Sequence, residues 1–183
     1  MGKNLDITEL FGIDYSDAEI NEMSPIRLAY IGDAVYELFV RYYIAKEPLK
    51  AHELQKLSTK YVSAYAQRDA FEKIKDHLTE DELYVFKRAR NHKSHKAPKN
   101  TDNSAYKVST GFEALIAYLF LKKEYTRLLD LVKLCLEDWI GRTIYIREKS
   151  RYGTFEEWQG HRQIICAKRR AKGLNRQNFK PCK

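Results

Sequence analysis

The stretch SPIRLAYIGDAVYELFVRYYI, residues 24–44, decides the fold class of this chain. Ser24 followed by Pro25 is a typical helix start, because serine caps free backbone N–H groups and proline fits the first helical position. Apolar residues then recur at helical rather than alternating spacing, at Leu28, Ile31, Val35, Leu38, Phe39 and Tyr42. The opposite side is also largely apolar, which indicates a helix that is buried or that also makes an oligomer contact.

The rest of the chain up to about residue 145 continues this helical pattern. The predicted helices cover about 51–78 with a break near Tyr61, 79–90 behind a Thr79–Glu82 capping box, a segment capped by Asn103 or Ser104 that is apolar through Phe120, and about 125–139. Residues 142–147 fit either a helical extension or a short strand. No internal repeat is visible. The sequence therefore predicts an all-α domain.

Composition excludes several classes of protein. The 183 residues are 44% hydrophobic and 32% charged with only 8 Gly and 4 Pro, which argues against a low-complexity or disordered chain. The longest apolar run, residues 114–121, is far shorter than the ~20 residues of a membrane span. The acidic N-terminal segment lacks the features of a signal peptide, and the three cysteines form no CxxC motif. We therefore expect a cytoplasmic protein with reduced thiols and no membrane association.

Positive charge is concentrated in two segments. Residues 87–107 contain seven Lys or Arg against one acid, a net charge of +6, and residues 147–183 contain eleven against three, a net charge of +8. Such clustering on a soluble chain points first to nucleic acid, and the alternative is a solvated surface with an adhesive tail. The composition changes at about residue 147, so the predicted organisation is a domain over 1–146 and a basic extension over 147–183.

Two carboxylates stand out because they lie within apolar helical segments. Asp33 follows Gly32 in the first helix, and Glu113 follows Gly111 closely in the segment STGFEALIAYLFL, residues 109–121. An unpaired buried carboxylate is costly, so two of them suggest a pair of ligands for Mg²⁺, which prefers oxygen. Glu37, one turn after Asp33, shares its face. The alternative is that Asp33 pairs with a base or caps another helix, while Gly32 merely permits close packing.

The segment KRARNHKSHKAPKN, residues 87–100, is predicted to be a loop that contacts nucleic acid. Lys and Arg neutralise phosphates, and Asn and Ser donate to phosphate or ribose oxygens. The candidate nucleic-acid-binding residues are Arg88, Arg90, Asn91, Lys93, Ser94, Lys96 and Lys99. Cations at a helix C-terminus also favour the helix dipole, which is a sufficient explanation for Arg88 and Arg90 alone. His92 and His95 are interpreted as phosphate contacts or exposed side chains rather than metal ligands.

Three blocks together resemble the ribonuclease III family, and within it the short bacterial Mini-type branch. They are SPIRLAYIGDAVYELFVR (24–41), KYVSAYAQ (60–67), and the stretch 86–121 that joins RARN, PKNTD and FEALI. The resemblance covers about residues 22–140. It implies an all-α endonuclease domain, a homodimer, Mg²⁺ dependence and cleavage of double-stranded RNA. The Mini-type branch further implies precursor 23S ribosomal RNA as substrate, with a ribosomal protein as a possible partner, and lacks the separate double-stranded-RNA-binding domain.

The resemblance also assigns site residues. It implies that Asp33 and Glu113 are catalytic metal ligands. Two further carboxylates of the full-size family fall on Ala29 and Thr110 here, so both are missing, as in the Mini-type pattern. Water, phosphate, Thr110 or Glu37 would then complete the metal coordination as possible outer groups.

The sequence therefore predicts a dimeric Mg²⁺-dependent endoribonuclease acting on double-stranded RNA. The alternative is a non-catalytic RNA-binding or ribosome-associated protein on the same fold, which the two missing carboxylates and the basic tail favour. A third interpretation, a structural helical dimer with a nonspecific basic surface, leaves the GDAVYE and FEALI blocks unexplained.

Overall fold

The protein is described by a computed structural model over residues 12–93, 102–136, 154 and 156–157. Seven α-helices and one turn of 3₁₀-helix make up its ordered elements in these ranges, and no strand occurs among them. The helices are α1 Asp17–Glu22, α2 Pro25–Ile44, α3 Ala51–Val62, α4 Ala64–Ile74, α5 Glu80–Arg90, α6 Asn103–Leu121 and α7 Tyr125–Cys135, with the 3₁₀ turn at Lys75–His77. The predicted all-α class is confirmed.

The helix starts follow the predicted capping chemistry in most places. The Ser24 hydroxyl accepts a hydrogen bond from the Arg27 backbone N–H at 3.3 Å, and Pro25 begins α2 as predicted. The Thr79–Glu82 capping box at the start of α5 is also confirmed. The break predicted near Tyr61 occurs at Ser63, because the Ser63 side chain caps the new helix α4.

The start of α6 differs by one residue from the prediction. The cap is Asp102 rather than Asn103 or Ser104, and its carboxylate accepts the Ala105 backbone N–H at 3.0 Å. A carboxylate at this position also gains from the positive end of the helix dipole. The Asp102 backbone N–H donates to the Tyr65 hydroxyl of α4 at 3.1 Å, which ties this helix start to α4.

Helix α6 is the centre of the domain. It packs against α2, α4, α5 and α7, and every residue from 114 to 119 is buried. Tyr36 of α2 meets Phe112 edge-to-face with 4.9 Å between ring centroids, and Phe71 of α4 stacks on Phe86 of α5 at 3.7 Å. This central position explains the apolar character of α6 and makes its one carboxylate, Glu113, conspicuous.

Helix α2 is not buried on all sides. Tyr30, Leu38 and Tyr42 are 82%, 61% and 68% exposed, and their spacing of eight and four residues puts them along one stripe. The prediction that α2 is buried on all sides is therefore wrong for the described residues. The other explanation for its all-round apolar character, an oligomer contact, stays a prediction.

The chain divides into two compact units, Met1–Leu136 and Glu137–Lys183. The last described helix, α7, ends at Cys135 with its C-cap at Leu136, before the predicted end near 139. The predicted boundary at 146/147, the segment 142–147 and nearly all of the basic extension lie outside the described residues. Among the helices that the structure describes, none has the length and hydropathy that crossing a membrane requires.

Candidate active site at the crossing of α2 and α6

Gly32 brings α2 into direct backbone contact with α6. A side-chain carbon placed on Gly32 would lie 2.6 Å from the Glu113 carbonyl carbon and 3.1 Å from the Ala117 nitrogen, and would overlap the Glu113 carbonyl oxygen. Only glycine fits such an approach. The crossing therefore places Asp33, the next residue of α2, beside Glu113.

Gly111 has a related role on another side of α6. A side-chain carbon there would lie 2.7 Å from the ring of Phe86 and 2.9 Å from its backbone oxygen. Residues two apart on a helix point in nearly opposite directions, about 200° around the axis. With Gly111 against α5, Glu113 is directed away from α5, so this contact sets the rotation of α6.

The electrostatic setting of Glu113 is unusual for a carboxyl group. Its pKa is raised from 4.5 to about 8, first by burial and then by the negative charge of Asp33, while the nearby Gln67 side chain acts in the opposite direction. Glu113 is intermediate in exposure rather than sealed. At neutral pH, Glu113 therefore holds its proton more tightly than an ordinary carboxyl group does, although solvent still reaches it.

Asp33 is exposed, which differs from the expected burial of this residue. Its pKa is nevertheless raised, first because the neighbouring protein displaces part of its water, and second because of the charge of Glu37, while the Gln67 side chain again lowers it. The reason for the exposure is that Asp33 lies at the edge of the α2–α6 contact rather than under it. The two predicted carboxylates thus form a pair, with Asp33 on the open side.

Gln67 of α4 is the third member of this site, and sequence reasoning did not single it out. Gln67 is 1% exposed, and its Nε2 atom is buried with no hydrogen-bond partner among the described residues. The side chain lies close enough to both carboxyl groups to lower the pKa of each. A signal was present, because the buried stripe of α4 at Ala70, Phe71 and Ile74 continues to Gln67 at helical spacing.

The two residues proposed to complete the coordination are placed differently. Glu37 accepts two hydrogen bonds from Arg41, at 3.1 Å from Nε and 2.7 Å from Nη2. The buried Thr110 hydroxyl donates to the Tyr106 carbonyl of its own helix at 3.0 Å. Glu37 acts on Asp33 through its charge, and a direct ligand role for either residue stays a prediction.

The basic segment is described at its start. Arg88 donates to the backbone carbonyls of Asn21 and Met23, the latter at 3.1 Å, so its guanidinium also holds the α1–α2 connection. Arg90 lies over the Phe86 ring at 5.6 Å, and its Nε donates to the Asn91 side chain at 3.2 Å. Lys93 is exposed. Ser94, Lys96 and Lys99 lie outside the described residues, and RNA binding by this segment stays a prediction.

The pair of Asp33 and Glu113 fits a divalent cation, although it provides only two carboxylate side chains. Within the described residues, no group of three or more His, Cys, Asp and Glu side chains is arranged to hold a metal. In the same ranges, the groups that shift the two pKa values are negative charges and the neutral Gln67, with no cation among them. Two neighbouring carboxyl groups without a counter-charge present oxygen ligands to a hard cation, which would relieve their repulsion.

Comparison with known proteins places this chain in a family. The Ribonuclease III domain model matches residues 26–124, which include α2 with Asp33 and α6 with Glu113. The chain therefore belongs to the ribonuclease III family of ribonucleases.

Within that family the chain is similar to proteins called Mini-ribonuclease 3. The Clostridium tetani protein is 40% identical over 127 residues, which cover 68% of this chain and 84% of the relative. The Enterococcus faecalis protein is 38% identical over 128 residues, covering 68% of this chain and 96% of the relative. An X-ray crystal structure of a Fusobacterium nucleatum protein superposes with a TM-score of 0.60 at 28% identity, covering 65% of this chain and 96% of that one. The predicted resemblance to the Mini-type branch is confirmed.

Proposed function

We propose that the chain is a Mg²⁺-dependent endoribonuclease that cuts double-stranded RNA, with Asp33 and Glu113 as the metal ligands. The observation that carries this proposal is the carboxylate pair at the Gly32 crossing, held close together without a cationic partner in the described residues. The family membership makes RNA the substrate class. The Mg²⁺ requirement rests on the oxygen ligands and on the unrelieved negative charge.

Asp33 and Glu113 are proposed to have different roles in the site. A bound Mg²⁺ ion would supply charge stabilisation at the scissile phosphate and lower the pKa of water. Asp33 is exposed, so it is accessible to an RNA backbone from solvent. Glu113 is less exposed and its backbone is locked against α2 by Gly32, so it gives the site a fixed ligand.

The segment that follows α5 is proposed to hold the duplex. Lys93, Lys96 and Lys99 would neutralise phosphates, while Asn91 and Ser94 would donate to phosphate or ribose oxygens. Arg90 can contribute a further positive charge. Arg88 is proposed here mainly as the support of the α1–α2 connection, since its guanidinium already donates to two backbone carbonyls.

A homodimer is proposed through the exposed stripe of α2. Tyr30, Leu38 and Tyr42 expose large apolar surfaces on one helix, and contiguous apolar surface of this kind marks an interaction site. A second copy related by two-fold symmetry would cover the stripe with the same stripe. Because Asp33 lies on the same helix, such a dimer would present two carboxylate pairs to one duplex.

The proposed natural substrate is precursor 23S ribosomal RNA in the cytoplasm, with a ribosomal protein as a possible partner. The assignment rests on the resemblance to the Mini-type branch, and the similar proteins from Clostridium tetani and Enterococcus faecalis are called Mini-ribonuclease 3.

The test is a cleavage assay on a labelled RNA duplex. Wild type should cut in Mg²⁺, and Asp33→Asn and Glu113→Gln should each lose about 1,000-fold or more, since metal charge stabilisation contributes several kcal/mol. Both variants should keep duplex binding in a gel shift. The matched controls are Glu80→Gln and Asp130→Asn, which change exposed acids of α5 and α7 and should cut normally.

Two results would contradict the proposal. Duplex binding without cutting by wild type, in Mg²⁺ and in Mn²⁺, would favour a non-catalytic RNA-binding protein. For the loop, neutralising Lys93, Lys96 and Lys99 together should flatten the log–log salt dependence of binding by about 3. Unchanged affinity across a salt titration would remove this segment from the RNA-binding surface.

A further inference from the structure

Gln67 occupies a buried position of α4, where a polar side chain destabilises the fold unless it is hydrogen-bonded. The residue is 1% exposed, and its Nε2 is buried without a hydrogen-bond partner in the described part of the chain. A buried amide without a hydrogen-bond partner destabilises the folded state, because the water that it loses on burial is not replaced. Ala70, Phe71 and Ile74 continue the same buried stripe of α4, so an apolar side chain at position 67 would suit the packing better. A polar group retained at such a cost is expected where it serves a function.

The Gln67 amide lies near two carboxyl groups. Gln67 acts on Asp33 of α2 and on Glu113 of α6, so one side chain of α4 reaches both carboxyl groups. An amide nitrogen has two N–H donors, and a carboxylate has two acceptor oxygens. One Nε2 atom can therefore donate to one oxygen of each carboxylate and leave the other oxygens free.

We propose that Gln67 is the positioning residue of the carboxylate pair, whose Nε2 donors orient Asp33 and Glu113 so that their remaining oxygens are presented together to a divalent cation. This inference rests on the proposed function, because it requires that the two carboxylates bind a metal. Groups that hold metal ligands in place typically change metal affinity or activity by about 10–100-fold when they are removed. Gln67 is too deeply buried to bind the RNA itself.

The direct experiment is the substitution Gln67→Met, which keeps the length of the side chain and removes both donors. Mn²⁺ binding to the RNA-free protein is measured by calorimetry, and we expect it to weaken at least about 10-fold. The Mg²⁺ concentration for half-maximal cleavage should rise by a similar factor. Duplex binding in EDTA and the metal-free Tm should not fall, because a buried unsatisfied amide has been replaced by an apolar group.

The matched control is Gln55→Met, the same chemical change at an exposed position of α3. It should leave Mn²⁺ affinity and cleavage unchanged. If Met at position 67 prevents folding, Gln67→Asn replaces it. That variant keeps the amide but withdraws it by one methylene, so it should show the same loss of Mn²⁺ affinity.

The outcomes separate this inference from the function on which it rests. If both Gln67 variants bind Mn²⁺ and cut RNA as well as wild type does, the positioning role alone is overturned. A lower metal-free Tm with unchanged Mn²⁺ affinity would show a purely structural amide and would also overturn it. A wild-type protein that neither binds Mn²⁺ nor cuts would overturn the proposed function together with this inference. Weaker Mn²⁺ binding with intact folding and RNA binding supports it.

Discussion

Glu82 of α5 and Glu113 of α6 show two opposite ways of keeping a carboxyl group inside this molecule. Glu82 is 3% exposed and accepts hydrogen bonds from Nε and Nη2 of Arg127, both at 2.8 Å, and from the Thr79 backbone N–H at 2.8 Å. Burial acts to raise its pKa, but Arg127 and Thr79 together outweigh burial and the pKa is lowered. Glu113 has Asp33 and Gln67 beside it instead, and its pKa is raised to about 8.

The difference distinguishes a structural carboxylate from a site carboxylate. Around Glu82 the charges are compensated within the chain, so the region needs nothing further to be stable. Around Glu113 the described residues place a second carboxyl group and no cation, so the negative charge is relieved either by a proton, as the raised pKa of Glu113 indicates, or by a bound cation. The first arrangement joins α5 to α7, and the second is where a cation is expected.

The largest effect on stability is expected from Gly32→Ala, which disrupts the backbone contact between α2 and α6 that brings Asp33 and Glu113 together. The added carbon would overlap the Glu113 carbonyl, and because the obstacle is backbone, the helices must separate. Overpacking of this kind costs 1–3 kcal/mol and occasionally more, and here we expect about 3 kcal/mol or more in urea denaturation. The control is Gly12→Ala, which meets no atom within 4 Å but has a φ of +63°, and should cost about 1 kcal/mol. Equal losses in the two variants would contradict a special role for the crossing.

Next in size is Glu82→Gln, which breaks the compensated arrangement. It leaves the Arg127 guanidinium without its carboxylate partner, a change that costs about 3–5 kcal/mol in fully buried pairs. The side chain of Arg127 is 32% exposed and can recover some water, so we expect about 2 kcal/mol. Cleavage per folded molecule should be normal, because this pair lies outside the proposed site. A loss of cleavage without a loss of stability would show that the two regions are not independent.

These contrasts also show what the sequence could and could not predict. Asp33 and Glu113 were predictable because a charge inside an apolar helical pattern is visible without any tertiary information. The side of α2 on which Asp33 emerges was not, because it depends on where α6 crosses. Gln67 needed the packing of a third helix, and the Glu82–Arg127 pair joins residues 45 positions apart. Capping boxes were predicted well since they are local, whereas the choice of Asp102 also involves Tyr65 of another helix.

The two glutamates should give opposite pH dependences of stability. The folded-state pKa of Glu113, about 8, exceeds its ordinary value of 4.5, so the folded state binds the extra proton. Its contribution is complete below pH 4.5, falls as the pH rises towards 8, and is constant above that. The full shift corresponds to about 5 kcal/mol, and access of water to this partly exposed group reduces our expectation to about 2 kcal/mol.

Metal-free protein in EDTA is the material for this measurement. Glu113→Gln should be more stable than wild type at pH 9, and the difference should vanish at pH 4. Glu82→Gln should behave in the reverse sense, since a lowered pKa stabilises the folded state above the ordinary value and that stability is lost on acidification. Parallel pH profiles for wild type and Glu113→Gln between pH 5 and 8 would contradict an uncompensated carboxyl at this position.

The smallest predicted effect tests whether a cation supplies the missing compensation. A ligand that binds only the folded state stabilises it by RT ln(1 + [L]/Kd), which is about 1.4 kcal/mol at a ligand concentration ten times Kd. Mg²⁺ at that excess should therefore raise the free energy of unfolding of wild type by about this amount at pH 8. Because binding requires the ionised carboxylate, the stabilisation should weaken as the pH falls below 8, where Glu113 retains its proton. Glu113→Gln should lose the effect, whereas Glu82→Gln, although less stable at the outset, should gain as much from Mg²⁺ as wild type does. An equal gain in all three proteins would mean that Mg²⁺ acts elsewhere on the surface, and the distinction between the two glutamates would then rest on burial alone.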